Sequence, residues 1–229
     1  MFKYIDKNIN QVLKNIEIAA KKSGRDPEDI TLISVTKNAD IEKMRYVAEK
    51  GFINFGENRV QELNFKYNQI QDKKIHWHFI GHLQRNKVKD VIQKVDLIHS
   101  VDSIRLMKEI NKHAIKVGKK MPILIQVNVA NEESKFGIKM DEIDDFINEC
   151  NNYSNIIVKG LMTMAPWAEN IENTRPIFMK LKERYDRIKE KGKDNIQLNY
   201  LSMGMTNDYP IAIEEGSNMV RIGTGIFGK

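Results

Sequence analysis

The 229-residue sequence contains a single cysteine, Cys150. One thiol excludes an intramolecular disulfide framework and any zinc or iron–sulfur centre built on several cysteines. It is compatible with a reducing compartment. Long apolar runs are absent as well, since no stretch approaches the roughly 18 consecutive apolar residues of a membrane span. Residues 1–22 scatter charges among their apolar positions, so they are not read as a secretory leader. The expectation is a cytoplasmic protein without a membrane partner. There are only five prolines, and no Pro/Gly/Ser-rich linker or shift in composition divides the chain. One domain over residues 1–229 is expected.

Charge is present in both signs: 37 Lys and Arg stand against 31 Asp and Glu, a formal net charge of +6. Hydrophobic residues at 41% and charged residues at 30% exclude a disordered chain. A chain of this length buries about 70% of its unfolded surface and needs no covalent staples. The basic excess raises the question of nucleic acid. However, most lysines sit beside acids in helical segments, as in residues 180–191, and no interleaved aromatics or binding motif accompany them. Solvated helix faces are the expected reading, and a nucleic-acid partner is not expected.

Eight short apolar runs alternate with amphipathic stretches along the chain. The runs cover 30–36, 53–56, 76–80, 97–101, 123–129, 156–164, 198–203 and 219–222. Helical spacing is read at 4–22, before the first run, and then at 40–50, 59–70, 86–94, 103–117, 140–151, 174–191 and 208–215. Strands alternating with helices imply βαβ units and a parallel sheet. Eight such units predict a single (β/α)8 TIM-type barrel with an extra N-terminal helix before strand one. A doubly wound open sheet accommodates the same pattern.

In a barrel, chemistry sits where the strands end, on the βα loops. Lys37 closes the first run, where a strand would present its amine at the mouth. A lysine so placed can form a Schiff base with a carbonyl, although an ordinary strand end also carries lysines. Residues 223–228 match GxGxxG, yet the dinucleotide motif needs a following helix, strand and acid, which are not read here. A phosphate site at the loops after strands seven and eight fits better, with Ser202, Gly204, Gly223 and Thr224 at those positions. A Gly-rich terminal turn is the plainer reading. Lysine and phosphate cradle together point to pyridoxal phosphate (PLP). Arg221, if it faces inward, reaches the pyridine nitrogen of such a ligand and opposes its protonation; pairing with Glu215 is the alternative.

Other candidates carry less. His76, His78 and His82 lack a third ligand of clear geometry, so no metal is expected. Cys150 reads as a plain helix residue, the methionines at 162, 164, 203 and 205 as packing, and Lys135 as a solvated loop lysine. Ser-His-Asp, Walker and HExxH arrangements are absent from the sequence.

Several segments are recognisable as a set: 34–37 (SVTK), 55–62 (FGENRVQE), 77–87 (WHFIGHLQRNK), 133–137 (ESKFG), 160–164 (GLMTM), 201–205 (LSMGM), 220–224 (VRIGT) and 226–228 (IFG). In this order the chain resembles the PLP homeostasis protein family, single-domain barrels related to the alanine racemase barrel domain. The resemblance implies PLP held as a covalent aldimine on Lys37. It implies Ser202, Gly223 and Thr224 at the phosphate, Arg221 at the pyridine nitrogen and Asn58 beside the cofactor. Lys135 matches a second lysine of the family, tied to cofactor exchange, and Thr206 stands where the family often has serine. A racemase adds a second domain that donates a tyrosine base from the partner subunit, and the chain ends shortly after its last strand. The implied role is intracellular PLP homeostasis by storage, buffering or delivery to apo PLP-dependent enzymes, as a monomer and without catalysis. A low-activity PLP-dependent amino-acid racemase is the alternative. A basic nucleic-acid module is the third.

Overall fold

The computed structural model describes residues 2–191 and 196–228. Eight strands close into an all-parallel barrel in sequence order, the first pairing with the last. They are β1 (Thr31–Val35), β2 (Asn54–Glu57), β3 (His76–Phe79), β4 (Leu97–Val101), β5 (Met121–Gln126), β6 (Ile156–Met162), β7 (Ile196–Met205) and β8 (Met219–Ile222). Around them lie α1 (Lys3–Lys22), α2 (Ile41–Glu49), α3 (Val60–Gln69), α4 (Val88–Val91), α5 (Ile104–Lys116), α6 (Ile143–Cys150), α7 (Arg175–Lys191), α8 (Tyr209–Glu214) and α9 (Thr224–Phe227). The (β/α)8 barrel read from the alternation is therefore the fold, with α1 ahead of β1. The open sheet is excluded by the β1–β8 pairing, which sets Ser34 opposite Ile222.

The helices start where side chains supply the missing acceptors. Asp40 accepts from the Lys43 amide and Ser103 from the Leu106 amide, satisfying donors that the first turns of α2 and α5 leave open. Helix α1 buries Ile5, Ile9, Val12, Ile16, Ala19 and Ala20, spaced by three or four residues along one face. The helix packs against α8 and α9. Asn8 Nδ2 donates to the carbonyls of Ile226 and Gly228, at 3.1 and 2.7 Å, and Asn15 Nδ2 donates to the Tyr209 hydroxyl at 2.9 Å.

The main core lies between strands and helices. A second, smaller apolar cluster joins Ile33, Leu97, Leu124, Met162 and Met219 from five different strands, as an interior barrel layer does. Three boundaries move in ways that matter below. Strand β7 extends to Met205, two residues past the expected end, and its register against β8 shifts between Ser202 and Met205. Strand β5 stops at Gln126, short of 129. Residues 224–227, read as part of a glycine-rich turn, form a helical turn.

Candidate functional site

A cavity of about 510 Å³ opens at the carboxyl ends of the strands. Lys37, Asn58, Arg221, Gly223 and Thr224 all line it. Lys37 is exposed, but the turn bearing it starts from a buried frame. The Thr36 hydroxyl donates to Glu57 Oε1 at 2.5 Å, and Lys66 Nζ donates to the Thr36 carbonyl and to the same carboxylate oxygen, both at 2.7 Å. Glu57 and Lys66 are both buried, so β1, β2 and α3 are tied together one residue before Lys37. Gly81 allows the next loop to close in, because a Cβ there would fall 2.1 Å from the Asn58 carbonyl oxygen.

Arg221 points into the barrel. It is 4% exposed, donating from one Nη to Ser202 Oγ at 2.5 Å and from the other to the Thr163 carbonyl at 2.8 Å. Burial pushes its guanidinium down to about 10, partly offset by Asp208, so it remains a cation at neutral pH. Glu215, the alternative partner, is held instead by Arg175, which also bonds Glu172 and Glu214.

Ser202, expected at the phosphate, sits behind the cavity wall. It is fully buried and does not line the cavity. Its oxygen accepts from Arg221, and it lies 3.2 Å from His99 Nδ1, so a serine hydroxyl has little left to offer a ligand. The hydroxyl that faces the glycine turn is that of Thr206, four residues on. The amides of Gly223 and Gly225 point at its Oγ1 from 3.4 and 3.3 Å, and Thr206 lines the cavity. The extra length of β7 and its register shift account for the difference: they carry residue 206, not 202, to the mouth.

Two further features escaped the sequence reading. His82 Nδ1 lies 3.2 Å from Asp102 Oδ2, and its ring stacks on Phe136 at 3.7 Å between centroids. His82 and Phe136 both line the cavity, and Trp167, 76% exposed, stands on its rim. Deeper in the barrel, His78 and His99 are buried against each other. Lys135 pairs with Glu132 at 3.4 Å and is not part of the cavity wall. Among the described residues no group of three or more His, Cys, Asp or Glu is placed to hold a metal ion. No helix among them is long and apolar enough to cross a membrane.

The fold and the matched residues define a class first. The sequence model of the alanine racemase N-terminal domain matches residues 8–229. The barrel also superposes on alanine racemase of Clostridium difficile 630, with a TM-score of 0.74 over all of this chain and 57% of that one. At 18% identity, that likeness concerns the fold.

Nearer relatives narrow the class. The pyridoxal phosphate homeostasis protein of Aquifex aeolicus is 41% identical over 96% of each chain, and that of Haemophilus influenzae is 35% identical over 98% and 95%. PipY of Synechococcus elongatus PCC7942, solved with PLP bound, aligns with a TM-score of 0.81 and 29% identity over 93% of this chain and all of that one. An unknown protein from Bifidobacterium adolescentis aligns at 0.91 and 32%, over 98% and 95%. The chain belongs to the pyridoxal phosphate homeostasis protein family.

The site's geometry fits PLP on grounds of its own. Asn58 Oδ1 is buried without a hydrogen-bond partner on the cavity wall. Gly225 lets the turn pack tightly on its frame, since a Cβ there would fall 2.8 Å from Ile222 and 3.2 Å from Thr206. This seats Thr206, Gly223 and Thr224 on the cavity wall. A primary amine, a fixed cation and a small hydroxyl- and amide-rich turn converge on one opening. These are the groups an aldehyde, a pyridine nitrogen and a phosphate require.

Proposed function

We propose that this protein binds PLP at the barrel mouth and serves its homeostasis by storing, buffering or delivering it to apo PLP-dependent enzymes. The observation that carries the reading is the convergence of Lys37, Arg221, Thr206, Gly223 and Thr224 on a single cavity. When bound, PLP supplies an aldehyde that condenses with amines and a ring that withdraws electrons from the adduct.

Lys37 would hold the cofactor covalently through its primary amine. Thr206, Gly223, Thr224 and Gly225 hold the phosphate through hydroxyls and backbone amides, and Asn58 offers its unpartnered oxygen beside the ring. Ser202 acts behind this layer, on Arg221. Arg221, a buried cation, would face the pyridine nitrogen, and protonating that nitrogen would bring two positive charges together. An unprotonated ring is a poor electron sink, which favours carriage over carbanion chemistry. The family names of the Aquifex and Haemophilus relatives support the same role. The protein acts in the cytoplasm, as a monomer and without catalysing a reaction.

One observation favours the racemase alternative: His82, oriented by Asp102 on the cavity wall, is a base of the kind that proton exchange needs. Two experiments decide. Borohydride applied to the PLP-loaded protein should fix the cofactor mass on the Lys37 peptide, and Lys37→Ala should remove that label. Equal labelling of Lys37→Ala overturns the site. In deuterated water the protein should leave the α-hydrogen of alanine in place while transferring PLP to an apo-enzyme. Stereospecific exchange without transfer would make it the racemase.

A further inference from the structure

Five polar side chains form an unbroken file through the barrel, contributed by β2, β3, β4, β7 and β8. Arg221 Nη1 lies 2.5 Å from Ser202 Oγ, and Ser202 Oγ lies 3.2 Å from His99 Nδ1. His99 Nε2 lies 3.1 Å from His78 Nδ1, and His78 Nε2 lies 3.2 Å from Asn54 Oδ1. All but Asn54, which is half-buried, are buried.

With both imidazoles neutral, the Asn54 oxygen facing His78 fixes the direction of every link. A guanidinium only donates, so Ser202 Oγ accepts from Arg221. The Asn54 oxygen requires a proton on His78 Nε2, which leaves His78 Nδ1 bare to accept from His99 Nε2–H. The bare His99 Nδ1 then accepts the Ser202 proton. Reversing any one link would set two donors or two acceptors face to face inside a low-dielectric interior. The file is polarised from end to end, with the arginine as its source.

Neutrality of both rings, on which this order rests, agrees with their setting. Burial, with His76 nearby, pushes His78 down to about 3, and burial with His78 and Arg221 pushes His99 well below the ordinary histidine range. An imidazolium at His99 would offer Ser202 a second donor and repel Arg221.

We propose that His99, backed by His78 and Asn54, is a positioning residue that holds Ser202 as an acceptor and thereby fixes the Arg221 guanidinium at the floor of the cavity. The imidazoles donate no proton to a ligand; they hold a cation in one orientation. What this does for PLP rests on the function proposed above, but the arrangement itself belongs to the unliganded protein and is tested there.

Long-range nitrogen-15 NMR of the labelled protein without PLP should show Nε2–H and a bare Nδ1 on both His78 and His99. A proton on Nδ1 of either ring overturns the proposal. In His99→Leu the Arg221 Nη protons should exchange with solvent at least about tenfold faster, since the buried bond that protects them is loosened. His99→Asn, which keeps an acceptor in the place of Nδ1, should restore most of the protection. Unchanged exchange in a folded His99→Leu overturns the proposal. If that variant does not fold, Ser202→Ala breaks the file at the next link and must give the same faster exchange. PLP affinity should fall about tenfold in His99→Leu, while borohydride still fixes the cofactor on Lys37. A wild-type protein that binds no PLP would refute the function proposed above and leave the tautomer and exchange results to stand on their own.

Discussion

At the scale of the residue, the decisive comparison is between Ser202 and Thr206. Both lie at the end of β7 or just beyond it, both carry a hydroxyl, and four positions separate them. One is spent on Arg221 and His99, the other faces two glycine amides at the opening. Their contributions should therefore separate when PLP is compared with pyridoxal, which lacks the phosphate. Thr206→Val should weaken PLP binding about tenfold or more and reduce the preference for PLP over pyridoxal, because a hydrogen bond to a charged group contributes about 1.5–3 kcal/mol. Ser202→Ala should weaken both ligands and leave their ratio unchanged. Isothermal titration with the two ligands reads the difference, and a lost preference in Ser202→Ala would return the phosphate to that residue. The sequence could not make this distinction. Lys37 was legible because it closes a mostly apolar strand-like run, and Arg221 because it interrupts one. Whether position 202 or 206 reaches the mouth depends on the length of β7 and a register shift against β8, which no local pattern encodes.

At the scale of the element, the frame under Lys37 is a buried ion pair. Lys66 comes from α3 and Glu57 from the end of β2, and both also bond Thr36. Removing one partner strands the other charge in the interior. Lys66→Met should cost about 3–5 kcal/mol of stability, measured by urea unfolding, far more than a substitution of the exposed Gln61 on the same helix. Cost near that of a surface substitution would mean that water reaches Glu57. Helix α3 itself was read as 59–70, close to its observed span, but a lysine in an amphipathic helix reads as solvent-facing. Its burial follows from a partner on a strand nine positions away, which periodicity does not report. The same holds for His82, whose orienting carboxylate, Asp102, arrives from the end of β4. Element order was legible throughout because helical and strand periods alternate; pairings across the barrel were not.

At the scale of the whole molecule, two neutral imidazoles inside the barrel make stability depend on pH. In the unfolded chain each histidine takes up a proton near 6.5, whereas burial beside His76 holds His78 down to about 3 when folded, and His99, facing His78 and Arg221, lies well below 6.5 too. Below 6.5 the unfolded state thus binds more protons than the native state. Stability is fully present above 6.5 and falls as the pH is lowered, by up to about 1.4 kcal/mol per pH unit for each histidine, until the folded values are passed. Urea midpoints at pH 7.5, 6 and 5 should decline accordingly, and the decline should shrink in His78→Gln. A flat profile would mean that at least one ring is already charged in the barrel.

The contact of α1 with the turn after β8 has a consequence in time. Asn8 binds the carbonyls of Ile226 and Gly228, and β1 pairs with β8, so the earliest and latest segments of the described chain complete each other. During synthesis, Lys37 leaves the ribosome long before Arg221 and the Gly223–Gly225 turn exist. The nascent barrel waits open along β1, and α1 waits with its apolar face uncovered. Contacts so distant in sequence make closure slow. On the function proposed above, the Lys37 amine is thus present for most of translation with nothing to select its aldehyde, and selectivity arrives only with the final strand.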